Sequence, residues 1–267
     1  MVNKRNVVIV GGEDIEKHYA ACEWGVKNGL LGTVAIAPFA DTEDNKNILL
    51  SMSLPSTGID IENDWMIIKG NIHTEDFLRR VIPLAKKLNG EKKLFLSHCA
   101  YFTNPYINRS FILTDGACVP TPTIEQREMM IENAVNLYNK LHDVSSGCNV
   151  SFISAGGDTN PKVDPEVYDW WKNRDTNKIP VRLEQLDVAL NEEIRVSKGV
   201  TGSVADVVVV KDINQGNAIW KSLTAVSGSG WNVSGLLVGA KFPIILTSRG
   251  DSCSSIKGSI KLGIKVY

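Results

Sequence analysis

The sequence has no CxxC pair, and its five cysteines, at 22, 99, 118, 148 and 253, fall at no metal-ligand spacing. A zinc module and a thioredoxin-like redox motif are thereby excluded, and an odd number of thiols suits a reducing compartment. Excess charge of either sign is also missing: 29 Lys and Arg stand against 30 Asp and Glu, for a net charge of −1 and a pI of about 6.4. The basic stripe of a nucleic-acid binder is absent. No apolar run approaches the ~18 residues of a membrane span. The opening MVNKRNVVIVGGED has no signal-peptide core or cleavage site. These absences predict a cytoplasmic protein with neither a membrane nor a nucleic acid as partner. There is no internal repeat and no low-complexity tract.

What is present is an ordinary globular balance, 43% hydrophobic and 22% charged over 267 residues, enough for a full core in one large domain or two modest ones. Asn6–Val10 is a short β-branched run, a helical pattern follows to about Asn28, and Thr33–Ala37 is again strand-like. Such βαβ units imply a parallel sheet. Gly11-Gly12 follows the first strand without the full GxGxxG spacing, so it is read as a tight strand-to-helix turn. Met66–Ile68 is another strand, and Thr74 is the expected N-cap of the next helix, with Glu75 and Asp76 in its first turn. Lys93–Phe102 and Ser110–Val119 read as a strand pair joined at Asn104-Pro105. Thr123 with Gln126 forms a capping box before a helix to about Leu141. Strand and helix then alternate: strands at 149–155 and 205–210, helices around 166–171 and 184–196, a helix through INQGNAIWKSLTAV, two strands, GLLVGA and FPIILTS, and a terminal helix.

The most informative stretch is FPIILTSRGDS, residues 242–252. A buried strand here ends in two hydroxyls, an arginine, a glycine and an acid, just before a helix. Ligands of α/β proteins bind at such carboxyl edges. A helix capped by Asp251 or Ser252 aims free N–H groups at the same place. Arg249 supplies a fork that matches phosphate oxygens, and Gly250 lets the backbone approach. Local physics favours an anion site over a merely capped helix, without naming the anion.

Several blocks resemble the phosphate acetyl/butyryltransferase family, most closely its phosphate butyryltransferase branch. They are IIKGNIHTEDFLRRVI (67–82), LSHCAYF (96–102), ILTDGACVPTPTIEQREMMIENAVNL (112–137), TNPKV (159–163), LDVALNEE (186–193), GNAIWK (216–221), SGLLVGAKFPIILTSRGDS (234–252) and SIKL (259–262). They keep the family's order. The resemblance implies a two-lobed α/β/α fold with mainly parallel sheets, similar to the isocitrate and isopropylmalate dehydrogenases. One lobe is expected at 1–117 plus 243–267, the second at 118–242, with the site in the cleft and usually a homodimer. It implies exchange of acyl-CoA and phosphate with acyl phosphate and coenzyme A, with a short acyl group, butyryl or similar. Coenzyme A is then a substrate, with no tightly bound cofactor and no metal.

That chemistry asks for cations and N–H groups for phosphate, donors for an oxyanion, and a proton acceptor for the CoA thiol, whose ordinary pKa is about 8.5. Arg249 matches the first need and Ser248 the second. Some family members carry an acid six residues after the matched arginine as thiol base. Here that position is Ser255, which leaves Asp251 as base or as helix cap. Further implied substrate contacts are Thr247, Gly250, Ser252 and Lys69. His98 is either a substrate residue or a hydrogen-bonded structural one. Thr114 and Asp115 either bond substrate or order their turn. Asn160 and Lys162 form a turn that either meets CoA phosphates or is merely exposed, and Asn217 lies near a helix start. Cys118 and Cys253 are bystanders, because direct attack by CoA needs no acyl-cysteine. The chain departs from the branch at Arg182-Leu183, where Gly-Pro is usual, and at Gly156-Gly157-Asp158, where a Glu is usual. These departures motivate an alternative, a catalytically weak CoA-binding relative. A nicotinamide oxidoreductase of the same fold would need an aspartate cluster for its metal, and the sequence has none.

Overall fold

The computed structural model describes residues 4–11, 14–37, 65–90, 94–144, 147–175, 177–226 and 230–267. In chain order the elements are β1 (Arg5–Val10), α1 (Glu16–Lys27), β2 (Leu31–Ala37), β3 (Trp65–Lys69), α2 (Thr74–Asn89), β4 (Ser97–Asn104), β5 (Arg109–Thr114), α3 (Ile124–His142) and β6 (Val150–Ile153). There follow α4 (Pro165–Lys172), β7 (Val181–Glu184), α5 (Leu186–Leu190), α6 (Glu192–Ser197), β8 (Val207–Val209), α7 (Ile213–Ala225), β9 (Asn232–Val238), β10 (Ile244–Ile245) and α8 (Cys253–Val266).

The chain divides into two compact α/β units, Met1–Leu96 with Val233–Tyr267, and Ser97–Asn232. The sequence reading divides at 117/118 and 242/243 instead. Pairing explains the difference. β4 and β5 form one antiparallel ladder from Cys99↔Thr114 to Asn104↔Arg109, and β5 pairs with β8, so 97–117 travel with the second unit. β9 pairs with β10, which brings 233–242 into the first.

In the first unit the strand order is β2-β1-β3-β10-β9, parallel except for β9. All five residues of β3 and the last four of β1 are buried, the continuous apolar signature of strands covered on both faces. The register pairs Val10 with both Ala37 and Lys69, and Ile245 with Ile68. The chain therefore leaves β1, β3 and β10 at one edge, through Gly11, Gly70 and Leu246-Thr247. Backbones crowd there: a Cβ on Gly70 would lie 2.4 Å from the Gly11 carbonyl oxygen, so only glycine fits. α1 packs beside α8, with the Lys257 and Lys261 ammoniums 5.3 and 5.1 Å from the Trp24 ring centroid.

In the second unit the order is β4-β5-β8-β6-β7, with only β4 antiparallel. Thr114 and Phe152 both register with Val209, and Ile153 with Glu184. One edge thus collects Asp115, the 154–157 turn, Gln185 and, at the start of β4, His98. The capping box at Thr123 is present, with Thr123 Oγ1 accepting the Gln126 N–H and Gln126 Oε1 accepting the Thr123 N–H.

Two local expectations are corrected. The N-cap of α2 is His73, in extended conformation, and Thr74 is the first helical residue. The single helix expected around 184–196 is two short helices after the end of β7: Glu184 is the last residue of β7, which pairs with β6, and Asn191, the C-cap of α5, accepts the Ile194 N–H to start α6. Val181–Glu184 alternates apolar and charged residues, the strand period, and pairs in register with β6.

Candidate functional site

Thr247 ends the β10 segment fully buried, and its Oγ1 donates to the Lys69 carbonyl oxygen at 2.7 Å. The chain then turns outward. Asp251 Oδ2 accepts the Ser248 N–H at 2.8 Å, Ser248 O accepts the Asp251 N–H at 3.0 Å, and Ser248 Oγ accepts the Gly250 N–H at 3.3 Å. Ser252 caps α8, its Oγ accepting the Ser255 N–H at 3.1 Å. The cap expected of Asp251 or Ser252 therefore belongs to Ser252, and the Asp251 carboxylate closes the turn. Ser255, at the expected acid position, is occupied by the cap; its Oγ lies 3.2 Å from Ser252 Oγ. The first N–H groups of α8 have no intrahelical acceptor and carry the positive end of the helix dipole. Arg249 and Gly250, at the tip, are exposed, and the Arg249 side chain makes no ion pair among the described residues. A solvent-facing guanidinium beside a helix N-terminus is an arrangement that attracts a phosphate-sized anion.

Lys69 lies at the same edge, buried, with its Nζ 3.3 Å from the Gly70 carbonyl oxygen. Two further groups, not anticipated from the sequence, reach the turn from α1. Lys17 Nζ donates to the carbonyl oxygens of Arg249 and Asp251, the latter at 2.9 Å. His18 is fully buried with Nε2 3.3 Å from Thr247 Oγ1. Because the Thr247 hydroxyl proton is spent on Lys69 O, His18 is the donor in that contact, which fixes the Nε2–H tautomer. Burial, with the Lys17 and Lys69 charges adding to it, pushes His18 down to about 4, so the ring is neutral. His18 is the one polar member of the buried stripe His18, Ala21, Cys22, Gly25 on α1, and that helical spacing was the signal available in the sequence.

In the second unit Asp115 is the hub. Its Oδ2 accepts the His98 N–H at 2.6 Å, and its Oδ1 accepts the Ala117 and Cys118 N–H groups at 2.8 and 2.7 Å. Burial nevertheless outweighs these bonds and raises its pKa to about 6. The buried His98 ring stacks on Trp220 of α7, centroids 4.9 Å apart, and burial, with Lys221 nearby, lowers it to about 3. Both His98 ring nitrogens and Trp220 Nε1 are buried without a hydrogen-bond partner among the described residues. Asn217 joins this cluster through Nδ2, 3.4 Å from the Gly116 carbonyl oxygen. Burial and the Asp115 carboxyl push the Cys118 thiol far above its ordinary value, which is contrary to what a nucleophilic cysteine needs. Asn160 and Lys162 are exposed on the separate 154–163 loop.

Both departures from the family pattern border one cavity. Gly156, Gly157, Asp158, Arg182 and Leu183 line a space of about 440 Å³ in the second unit. Arg182 is engaged there, donating to Ser203 O at 2.8 Å and Ser151 Oγ at 3.2 Å, with Glu184 3.5 Å away. Among the described residues no group of three or more His, Cys, Asp and Glu is placed to hold a metal, and no helix is long and apolar enough to cross a membrane.

Comparison with known proteins bears on this chemistry. The family model described as phosphate acetyl/butaryl transferase matches residues 6–263. A phosphate butyryltransferase of Clostridium acetobutylicum is 33% identical over 235 residues, which are 83% of this chain and 73% of that protein. Another, of Clostridium beijerinckii, is 34% identical over 236 residues, 85% and 75% of the two chains. The crystal structure of a branched-chain phosphotransacylase from Enterococcus faecalis V583 superposes with a TM-score of 0.72 at 26% identity, covering 98% of each chain. A phosphotransacetylase from Streptococcus pyogenes shares the fold, with a TM-score of 0.62 at 16% identity over 97% of this chain and 93% of that one.

Proposed function

The chain belongs to the phosphate acetyl/butyryl transferase family, and on that premise we propose that it interconverts short-chain acyl-CoA and phosphate with acyl phosphate and coenzyme A. A phosphate oxygen attacks the thioester carbonyl carbon, the C–O bond forms, the C–S bond breaks, and the thiolate leaves and takes a proton. The reverse reaction is attack of the thiol, losing that proton, on the acyl phosphate. The observation that carries the reading is the 247–252 turn. Its exposed Arg249 and the N-terminus of α8 supply charge and directed N–H groups for phosphate, and Ser248 supplies a donor for the oxyanion. Asp251 contributes by closing the turn, and Thr247, Gly250, Ser252 and Lys69 complete its edge. His98, Thr114, Asp115, Asn160, Lys162 and Asn217 are the second unit's proposed substrate contacts. The orphaned polar atoms of His98 and Trp220 support this reading. The same reading carries a cytoplasmic homodimer that uses coenzyme A as a substrate, and an acyl group of butyryl size or similar.

The test is thiol release. Purified protein is mixed with butyryl-CoA or acetyl-CoA, with and without inorganic phosphate, and free CoA is followed with a thiol reagent. Phosphate-dependent release that falls about 10²–10³-fold in Arg249→Ala is the expected result, the scale of losing one transition-state donor. Absence of phosphate-dependent release with every short acyl-CoA, in protein that still binds CoA, overturns the proposal.

A further inference from the structure

We propose that Lys17 and His18, adjacent on α1, are positioning residues that set the geometry of the anion-binding turn. This rests on the functional reading above. The two side chains hold different parts of the turn. His18 fixes Thr247, the last buried residue before the chain emerges, through the Oγ1 that also bonds Lys69 O. Lys17 fixes the tip, by donating to the carbonyl oxygens of Arg249 and Asp251.

The consequence follows from peptide geometry. In a trans peptide the C=O of one residue and the N–H of the next point in opposite directions within one plane. Drawing the Arg249 and Asp251 carbonyls to the Lys17 ammonium therefore aims the Gly250 and Ser252 N–H groups away from it. The Gly250 N–H is met by Ser248 Oγ. The Ser252 N–H lies at the mouth of α8, where an anion would be received. Lys17 thus does more than add a positive charge: it sets two peptide planes. The local bonds made by Asp251 and Ser252 close the turn on itself. The Lys17 and His18 bonds tie it to α1, which itself packs against α8.

The experiment compares wild type with Lys17→Met, Lys17→Arg and His18→Gln, measuring kcat and KM for phosphate and for acyl-CoA, thermal melting, and amide hydrogen exchange across 247–255. In Lys17→Met the phosphate KM rises about tenfold while the acyl-CoA KM stays within twofold and melting is unchanged. Lys17→Arg, which keeps a donor, recovers most of the phosphate affinity. His18→Gln shows the same KM split to a smaller degree, because Nε2 of glutamine replaces the donor. Exchange at Gly250, Asp251 and Ser252 quickens in Lys17→Met. An unchanged phosphate KM overturns the proposal, as does a rise in both KM values with a fall in melting temperature, the mark of a general folding role. If wild type itself shows no phosphate-dependent release, the functional reading fails separately. Hydrogen exchange then decides the positioning role alone: faster exchange in Lys17→Met upholds it, and unchanged exchange overturns it.

Discussion

Asp251 and Ser248 hold each other by two reciprocal hydrogen bonds, carboxylate to backbone N–H at 2.8 Å and backbone N–H to carbonyl at 3.0 Å. A carboxylate used this way is a clasp, and an amide can replace it through its remaining carbonyl oxygen. Asp251→Asn is therefore expected to keep thiol release within about threefold of wild type, whereas Asp251→Ala opens the turn and loses more. A general base removed by the same Asn substitution would cost about 10²–10⁴-fold. Rates of the two variants side by side separate the roles.

Ser252 carries the cap that the sequence reading shared between it and Asp251. Its Oγ accepts the Ser255 N–H at the start of a 14-residue helix packed on α1. Ser252→Ala should lower unfolding stability by about 1 kcal/mol, the usual loss for a capping hydroxyl. Ser252→Asn should recover most of it. Urea denaturation of the three proteins is the check, and an unchanged midpoint in Ser252→Ala would remove the cap from the account.

The legible parts of the fold were those decided locally. The apolar run before Thr247, the turn formers after it and the Thr123–Gln126 box each act within a few residues, and each is where the sequence places it. The misread parts were decided at a distance. Glu184, read as the start of a helix, ends β7 instead because Ile153 of β6 pairs with it, and the helical stretch that follows is interrupted at Asn191, which caps α6. Lys17 reaches Asp251 across a sequence separation of 234, and no local pattern encodes that contact. His18 was readable in principle, since it interrupts an otherwise apolar helical stripe. The orphaned atoms around His98 depend on α7 bringing Trp220 over the ring, another nonlocal event.

Three buried groups set opposing pH dependences. His18 and His98 are lowered from 6.5 to about 4 and about 3, by burial first and then by nearby lysines. Their contribution to stability is full above about pH 6.5 and is lost as the pH falls, because the unfolded chain gains their protons first. Asp115 is raised from 3.8 to about 6, chiefly by burial, so its contribution is present below about pH 4 and is lost as the pH rises toward 6. At pH 5 the unfolded chain holds about two protons on these groups and the native protein about one. The histidines win, and stability from these groups should fall on acidification by about 1.4 kcal/mol per pH unit near pH 5. Urea midpoints between pH 4.5 and 7 test this. His18→Gln should remove about one proton from the slope, and a slope unaffected by that change would show that His18 is not buried neutral.

Gly216 offers a test in which the usual sign of a substitution reverses. In a helix interior, glycine to alanine ordinarily stabilises by about 1 kcal/mol. At Gly216 on α7, the added Cβ would lie 2.4 Å from the Asp115 carbonyl oxygen and 2.9 Å from the Gly116 Cα, both backbone atoms of the turn that carries the Asp115 hub. Neither can rotate aside, so helix and turn must separate, at a cost of about 1–3 kcal/mol for overpacking. That exceeds the propensity gain, and Gly216→Ala should melt several degrees below wild type. Gly258 on α8 is the internal control. Its Cβ would meet the Ser234 side chain, with Oγ at 2.6 Å and Cβ at an ordinary 3.9 Å, and the hydroxyl can turn away, so Gly258→Ala should be neutral or slightly stabilising. The separation of α7 from the 114–117 turn would also disturb the Asn217 contact to Gly116 and the stacking of Trp220 on His98. A Gly216→Ala protein should therefore show a changed tryptophan emission as well as lower melting, while Gly258→Ala shows neither. Equal melting of the two variants would mean that the contact at Gly216 relaxes without strain.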